Sequence, residues 1–207
     1  MSDHLNHSIV EQSFTIIDRE VGQHHLNSEQ YAIARRVIHA SADFEFLDLI
    51  QFSPDAIASG IQALRAGVPI VTDVTMVKQG IRTLVNKTFN NPLIAAIDLA
   101  KTAEPGKTRT ETGVLRCWAQ YPEAIYVVGN APTALLALCQ QLTKSETKPA
   151  LVVGAPVGFV SVLESKQALA QVNVPQIAIT GRKGGSPAAA AIINALIVLA
   201  ASKDSEQ

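Results

Sequence analysis

Charge is what this sequence has least of. Only 17% of its 207 residues are Asp, Glu, Lys or Arg, against about 25% in an average globular protein. Much of the chain is therefore interior, or surface that becomes interior when copies associate, and we expect an oligomer. The 17 Lys and Arg against 18 Asp and Glu leave a net charge of -1. That balance offers no basic excess for phosphates and excludes nucleic acid and an acidic membrane surface as partners. Cysteine is equally scarce. Cys117 and Cys139 lie far apart, without the short spacing of a zinc or redox pair, and read as two reduced thiols. No apolar run reaches the roughly 18 residues of a membrane span. The polar opening Met1-Ser2-Asp3-His4 lacks the basic-then-apolar pattern of a signal peptide. A soluble, cytoplasmic protein is expected, and with 47% hydrophobic residues it has the means to build a large core.

What is present is an alternation. Ile9, Phe14, Ile16 and Ile17 recur at near-helical spacing before Gly22, and Asn27 or Ser28 starts a second helix running to about Ser41, with His39 in its last turn. Phe44 to Phe52 reads as a strand. Ser53-Pro54-Asp55 then supplies a capping hydroxyl, a proline and an acid for a following helix. Further short apolar runs at Val68 to Val74, Leu93 to Ile97, Ile125 to Val128, Ala150 to Val153 and Gln176 to Thr180 each precede a turn and, mostly, a helical pattern. Strands alternating with helices imply parallel pairing through right-handed crossovers. The expected fold is α/β: one domain over 1–207, a three-layer sandwich with a mostly parallel central sheet flanked by helices. It has a helical N-terminal segment to residue 43 and a solvated tail at 203–207. The last helix, from about Ser186 to Ala201, is apolar nearly all round and should lie against the sheet or a second subunit.

Ligands of open parallel sheets bind beyond the carboxyl ends of the strands, and three turns there are rich in glycine: Gly129-Asn130-Ala131-Pro132, Gly154-Ala155-Pro156-Val157-Gly158-Phe159-Val160, and Gly181-Arg182-Lys183-Gly184-Gly185-Ser186-Pro187. Each leads into a helix whose free N–H groups favour an anion, or else simply makes a tight turn. None matches a dinucleotide fingerprint or a phosphate loop. His39 has the right ordinary pKa for exchanging a proton near neutrality, with Arg35 and Arg36 one turn behind it and Asp43 just after. The plainer alternative is a helix-terminal histidine that suits the dipole. His4, His7, His24 and His25 read as solvated, and no ligand set has metal spacing. Thr108-Arg109-Thr110-Glu111 opens a helix, presenting Arg109 to an anion or merely capping. Ser13 has no base beside it in sequence, so a hydrolase triad cannot be argued.

Five segments together carry a resemblance: Ser13 to Ile17, Arg36 to Ala40, Gly129 to Ala134, Pro156 to Val160 with Glu164-Ser165-Lys166, and Gly181 to Ser186. In this order they resemble the precorrin-8X methylmutase family, also called cobalt-precorrin-8 methylmutase, across nearly the whole chain. The resemblance implies an isomerase of cobalamin biosynthesis that moves a methyl group from C11 to C12 of precorrin-8 or cobalt-precorrin-8, giving hydrogenobyrinate or cobyrinate. It implies no added cofactor, no protein-bound metal, a tetrapyrrole as substrate and product, and a homodimer. Carried over residue by residue, His39 is the catalytic proton donor to the macrocycle. Ser13, Arg109, Gly129, Asn130, Gly158, Arg182, Gly184 and Gly185 are the substrate-binding or orienting groups. The stretch Val85 to Asn91 matches no family motif. The alternatives are a non-catalytic corrinoid carrier and a nucleotide- or phosphate-binding α/β enzyme.

Overall fold

A computed structural model describes residues 8–202; His4, His7 and the tail at 203–207 lie outside the described residues. The chain opens with α1 (Ser8–Val21), which ends at Gly22 in the left-handed region, and α2 (Ser28–Ser41). Asn27 caps α2: its side chain accepts the Gln30 N–H at 2.9 Å, and the Gln30 side chain accepts the Asn27 N–H at 3.1 Å. Of the apolar series on α1, Phe14 and Ile17 are buried, whereas Ile9 and Ile16 face outward. The two helices are held face to face by Asp18, which accepts from the Tyr31 hydroxyl at 2.7 Å and pairs with Arg35 at 2.8 Å. The Arg35 guanidinium also lies 4.3 Å from the centre of the Phe14 ring.

The segment Phe44 to Phe52 departs from expectation. Most of it is a single helical turn, α3 (Phe46–Leu49), and only β1 (Ile50–Phe52) is strand. The Asp43 carboxylate accepts the Glu45 N–H at 3.0 Å, a local turn that commits the backbone to helix, and Phe46 and Ile50 then fall on one buried face four residues apart. Ser53 does not cap the next helix either. Its hydroxyl accepts the Gln176 N–H at 2.9 Å and so extends the pairing of β1 with its neighbour strand.

From there the expected alternation holds: α4 (Ala56–Arg65), β2 (Ile70–Thr72), α5 (Thr75–Lys87), β3 (Leu93–Ala95), a 3-10 turn (Ala96–Leu99), α6 (Arg109–Gln120), β4 (Ile125–Val128), α7 (Pro132–Lys144), β5 (Leu151–Gly154), α8 (Val162–Ala170), β6 (Gln176–Ile179) and α9 (Ser186–Ser202). The six-stranded sheet has the order β1-β6-β5-β4-β2-β3. All neighbours are parallel except β1, which runs antiparallel to β6 with Ile50 opposite Ile179.

Helices cover both faces, which is why the central strands are continuous apolar runs; every residue of β4 and β5 is buried. On one face α9 lies against α2, α4 and α5, and on the other α6, α7 and α8 pack in a row. Ile192, Ile193, Leu196 and Ile197 of α9 have no exposure above 0%, and burial of each stabilises by about 1.5–3 kcal/mol. The Val85 to Asn91 stretch is structural: the buried Asn91 amide donates to the carbonyls of Leu64 and Val68 at 3.0 and 2.9 Å. Because β2 leads outward to β3 while β4 leads the other way to β5, the order of connection along the sheet reverses between the parallel strands β2 and β4. A ligand crevice is expected at that switch point.

Candidate active site

The switch point is filled by a side chain that sequence reasoning overlooked. Asp73 follows β2, is 1% exposed, and accepts N–H groups from Val74 and Gly129 at 3.0 Å each, from Asn130 at 2.7 Å and from Ala131 at 2.8 Å. Burial pushes its carboxyl pKa up, and the four donors oppose that. The backbone N–H groups of Gly129 and Asn130, expected to bind a ligand anion, are thus already occupied by an internal anion. The Asn130 side chain, at an exposed position, is what this loop still offers. The same arrangement occupies the three N–H groups just before α7 that a nucleotide phosphate would meet.

The second and third loops are laced to each other in a similar way. The Gly185 N–H donates to Ala155 O at 2.8 Å, and the Gly158 N–H donates to Arg182 O at 3.3 Å. Gly184 has φ +149°, and a side chain there would run into the carbonyl oxygens of Ala155 and Pro156. Glycine in these loops therefore permits close backbone packing, while the N–H groups of Gly158 and Gly185 face partners within the protein. Lys166 secures the third loop from beneath. Only 7% exposed, its ammonium donates to the carbonyls of Gly181 and Lys183 at 2.7 Å each, and burial lowers its pKa to about 8. The sequence showed Lys166 only as part of a motif.

At the same edge stands the end of α2. His39 is exposed there, with Ser13 Oγ 2.8 Å from its Nδ1 and the Phe14 ring edge-on at 5.5 Å between centres. The serine that had no base in sequence thus meets the histidine from the neighbouring helix. The expected balance of charges around His39 resolves differently from the sequence spacing. Arg35 is paired with Asp18, and Asp43 is paired with Lys183 at 2.6 Å. Lys183 also reaches Glu45 at 3.0 Å, so the third loop is tied to the connection after α2. These contacts hold the Asp43 carboxyl below its ordinary range and the Lys183 ammonium above its own. Between α2 and the two loops lies a cavity of about 290 Å³ whose walls include Ala40, Asp43, Phe46, Val157, Lys183 and Gly184.

Arg109 lies elsewhere. Thr108 caps α6, accepting the Glu111 N–H at 3.1 Å, and the Arg109 guanidinium donates to the carbonyls of Ala100 and Ile97 at 3.1 and 3.3 Å. Thr108 Oγ1 is 2.9 Å from Thr133 Oγ1, so the start of α6 adjoins the start of α7 and the Asn130 loop. The exposed Arg182 has its guanidinium 5.9 Å from the centre of the Phe159 ring.

The sequence model of the precorrin-8X methylmutase family matches residues 8–199, nearly all of the described chain. The chain belongs to that family. A cobalt-precorrin-8 methylmutase of Synechocystis sp. is 59% identical over 95% of this chain and 97% of its own. One of Leptospira interrogans is 38% identical over 96% of each. A solved precorrin-8x methyl mutase of Thermus thermophilus superposes with a TM-score of 0.86 at 41% identity, covering 95% of this chain and 99% of its own. This methylmutase-family chain is accordingly an isomerase of cobalamin biosynthesis, one that catalyses migration of a methyl group. Among the described residues no group of His, Cys, Asp and Glu could hold a metal ion, and no helix is long and apolar enough to cross a membrane. Cys117 and Cys139 are buried and free, with burial pushing both thiols up to about 12.

Proposed function

We propose that this chain, acting as one catalytic domain, moves the methyl group from C11 to C12 of precorrin-8 or its cobalt complex, with His39 donating a proton or hydrogen bond to a macrocycle nitrogen. The observation that carries the reading is the 2.8 Å contact between Ser13 Oγ and His39 Nδ1 at an exposed helix end. When the hydroxyl donates to Nδ1, the neutral ring carries its proton on Nε2; when the ring is protonated, Nε2–H is again a donor. Ser13 is then the orienting group and His39 the acid, and the Phe14 edge limits rotation of the ring. Drawing electron density toward the protonated pyrrole-derived ring weakens the bond from C11 to the methyl group, which forms its new bond to C12. The proton is returned when the extended conjugation of the product is complete, so no redox partner or added cofactor is consumed.

Asn130, Arg182 and the rim of the cavity bounded by Gly184 supply the polar contacts for the substrate's carboxylates. Arg109 takes part by fixing the loop before α6 beside Asn130. The protein works as a soluble cytoplasmic homodimer. Anaerobic incubation with precorrin-8 and, separately, its cobalt form tests the reading: conversion to the spectrum of the product is expected, and the faster substrate identifies the metal state that the chain serves. A protein that bound pigment tightly yet left its spectrum unchanged would be a carrier.

A further inference from the structure

The loop between β5 and α8 ends in an apolar tip that stands exposed among the described residues. Val157, Phe159 and Val160 are 42%, 86% and 83% exposed, and contiguous apolar surface of this kind on a soluble protein marks a contact site. The tip is not a loose excursion. It is stapled at Gly158 to Arg182 and, through Ala155, to Gly185, and Ser161 closes it with φ +57°, so the phenyl ring is presented on a defined backbone. Two features say what kind of surface it meets. Val157 also lines the cavity between α2 and the third loop, which joins the tip to a wall that Ala40 and Asp43 form on the other side. The Arg182 guanidinium, 5.9 Å from the Phe159 ring centre, places a cation next to the apolar surface. The complementary ligand is broad, flat and apolar, with an acid at its edge.

We propose that Phe159 and Val160 form an apolar cap on the face of the bound tetrapyrrole, with Arg182 meeting a carboxylate at its rim. This rests on the methylmutase reading above and adds residues that decide which face of the macrocycle is recognised. A flat ring gains offset-stacked contact with a phenyl group, and the adjacent guanidinium brings the charge that a rim carboxylate pairs with.

The test is equilibrium dialysis of the full chain against cobyrinate, comparing wild type with the double variant Phe159→Ser, Val160→Ser and with Phe159→Leu, alongside the sedimentation mass of each. The double variant should keep the mass and the ligand-free thermal midpoint of wild type and bind at least about tenfold more weakly, while Phe159→Leu, which retains apolar surface, stays much closer to wild type. Binding by the double variant within about twofold of wild type would overturn the cap and leave the methylmutase reading standing. A fall in mass would overturn it too, by making the tip a contact between copies of the chain. A folded wild type that failed to bind cobyrinate at all would remove both the reading and the cap.

Discussion

His39 was legible in the sequence because its place in the last turn of α2 follows from the Asn27 cap and the helical spacing. Its pairing with Ser13 was not, since the two residues lie 26 positions apart on different helices and only the packing of α1 on α2 brings them together. If Ser13 sets the ring, Ser13→Ala should slow turnover about fivefold, the equivalent of one hydrogen bond worth about 1 kcal/mol, with little change in substrate affinity; steady-state kinetics separates the two. Asp73 was missed for a different reason. An acid just after a buried strand looks like a turn residue, and its four N–H partners come from its own turn and from a loop more than fifty residues downstream. Asp73→Ala would leave those donors without their acceptor in a buried place, and we expect a loss of about 3 kcal/mol in chemical denaturation. A loss near zero would mean that water replaces the carboxylate at no cost.

Among the elements, the five parallel strands were readable from continuous apolar runs, and α6 from its capping box. The misreading fell on Phe44 to Phe52, where apolar residues with Glu45 and Asp48 between them satisfy both a strand and one turn of helix, and the side chain of Asp43 decides between them. The glycine loops were recognised as unusual, but a sequence does not reveal that one loop's N–H groups are taken by its neighbour. Lys166 links that loop system to pH. Burial lowers its pKa from 10.5 to about 8, so between those values the folded protein holds fewer protons than the unfolded chain. Its contribution to stability is least favourable below about pH 8 and improves as pH rises toward 10.5. Compared with Lys166→Met in urea unfolding, wild type should gain about 2 kcal/mol in relative stability between pH 7 and pH 9.5; parallel profiles would show that the ammonium is not desolvated.

At the scale of the molecule, low charge, an apolar last helix and alternating strands anticipated the layered sheet, and the structure accounts for the apolar helix without a partner, since α9 is buried by α2, α4, α5 and the sheet. The expectation of a homodimer rests instead on outward apolar residues such as Ile16 and Met76, which are 49% and 66% exposed. Sedimentation at micromolar concentration should give twice the mass of the 22.0 kDa chain, and a concentration-independent monomer would contradict it. The central claim, that a chain of this family performs the methyl shift with His39 as its acid, is tested most directly by following the visible spectrum of precorrin-8, or of its cobalt form, incubated anaerobically with wild type and with His39→Ala. A general acid contributes about 10²–10⁴-fold, so wild type should convert the pigment while His39→Ala binds it and leaves it essentially unconverted. Conversion by the variant at the wild-type rate would contradict the account.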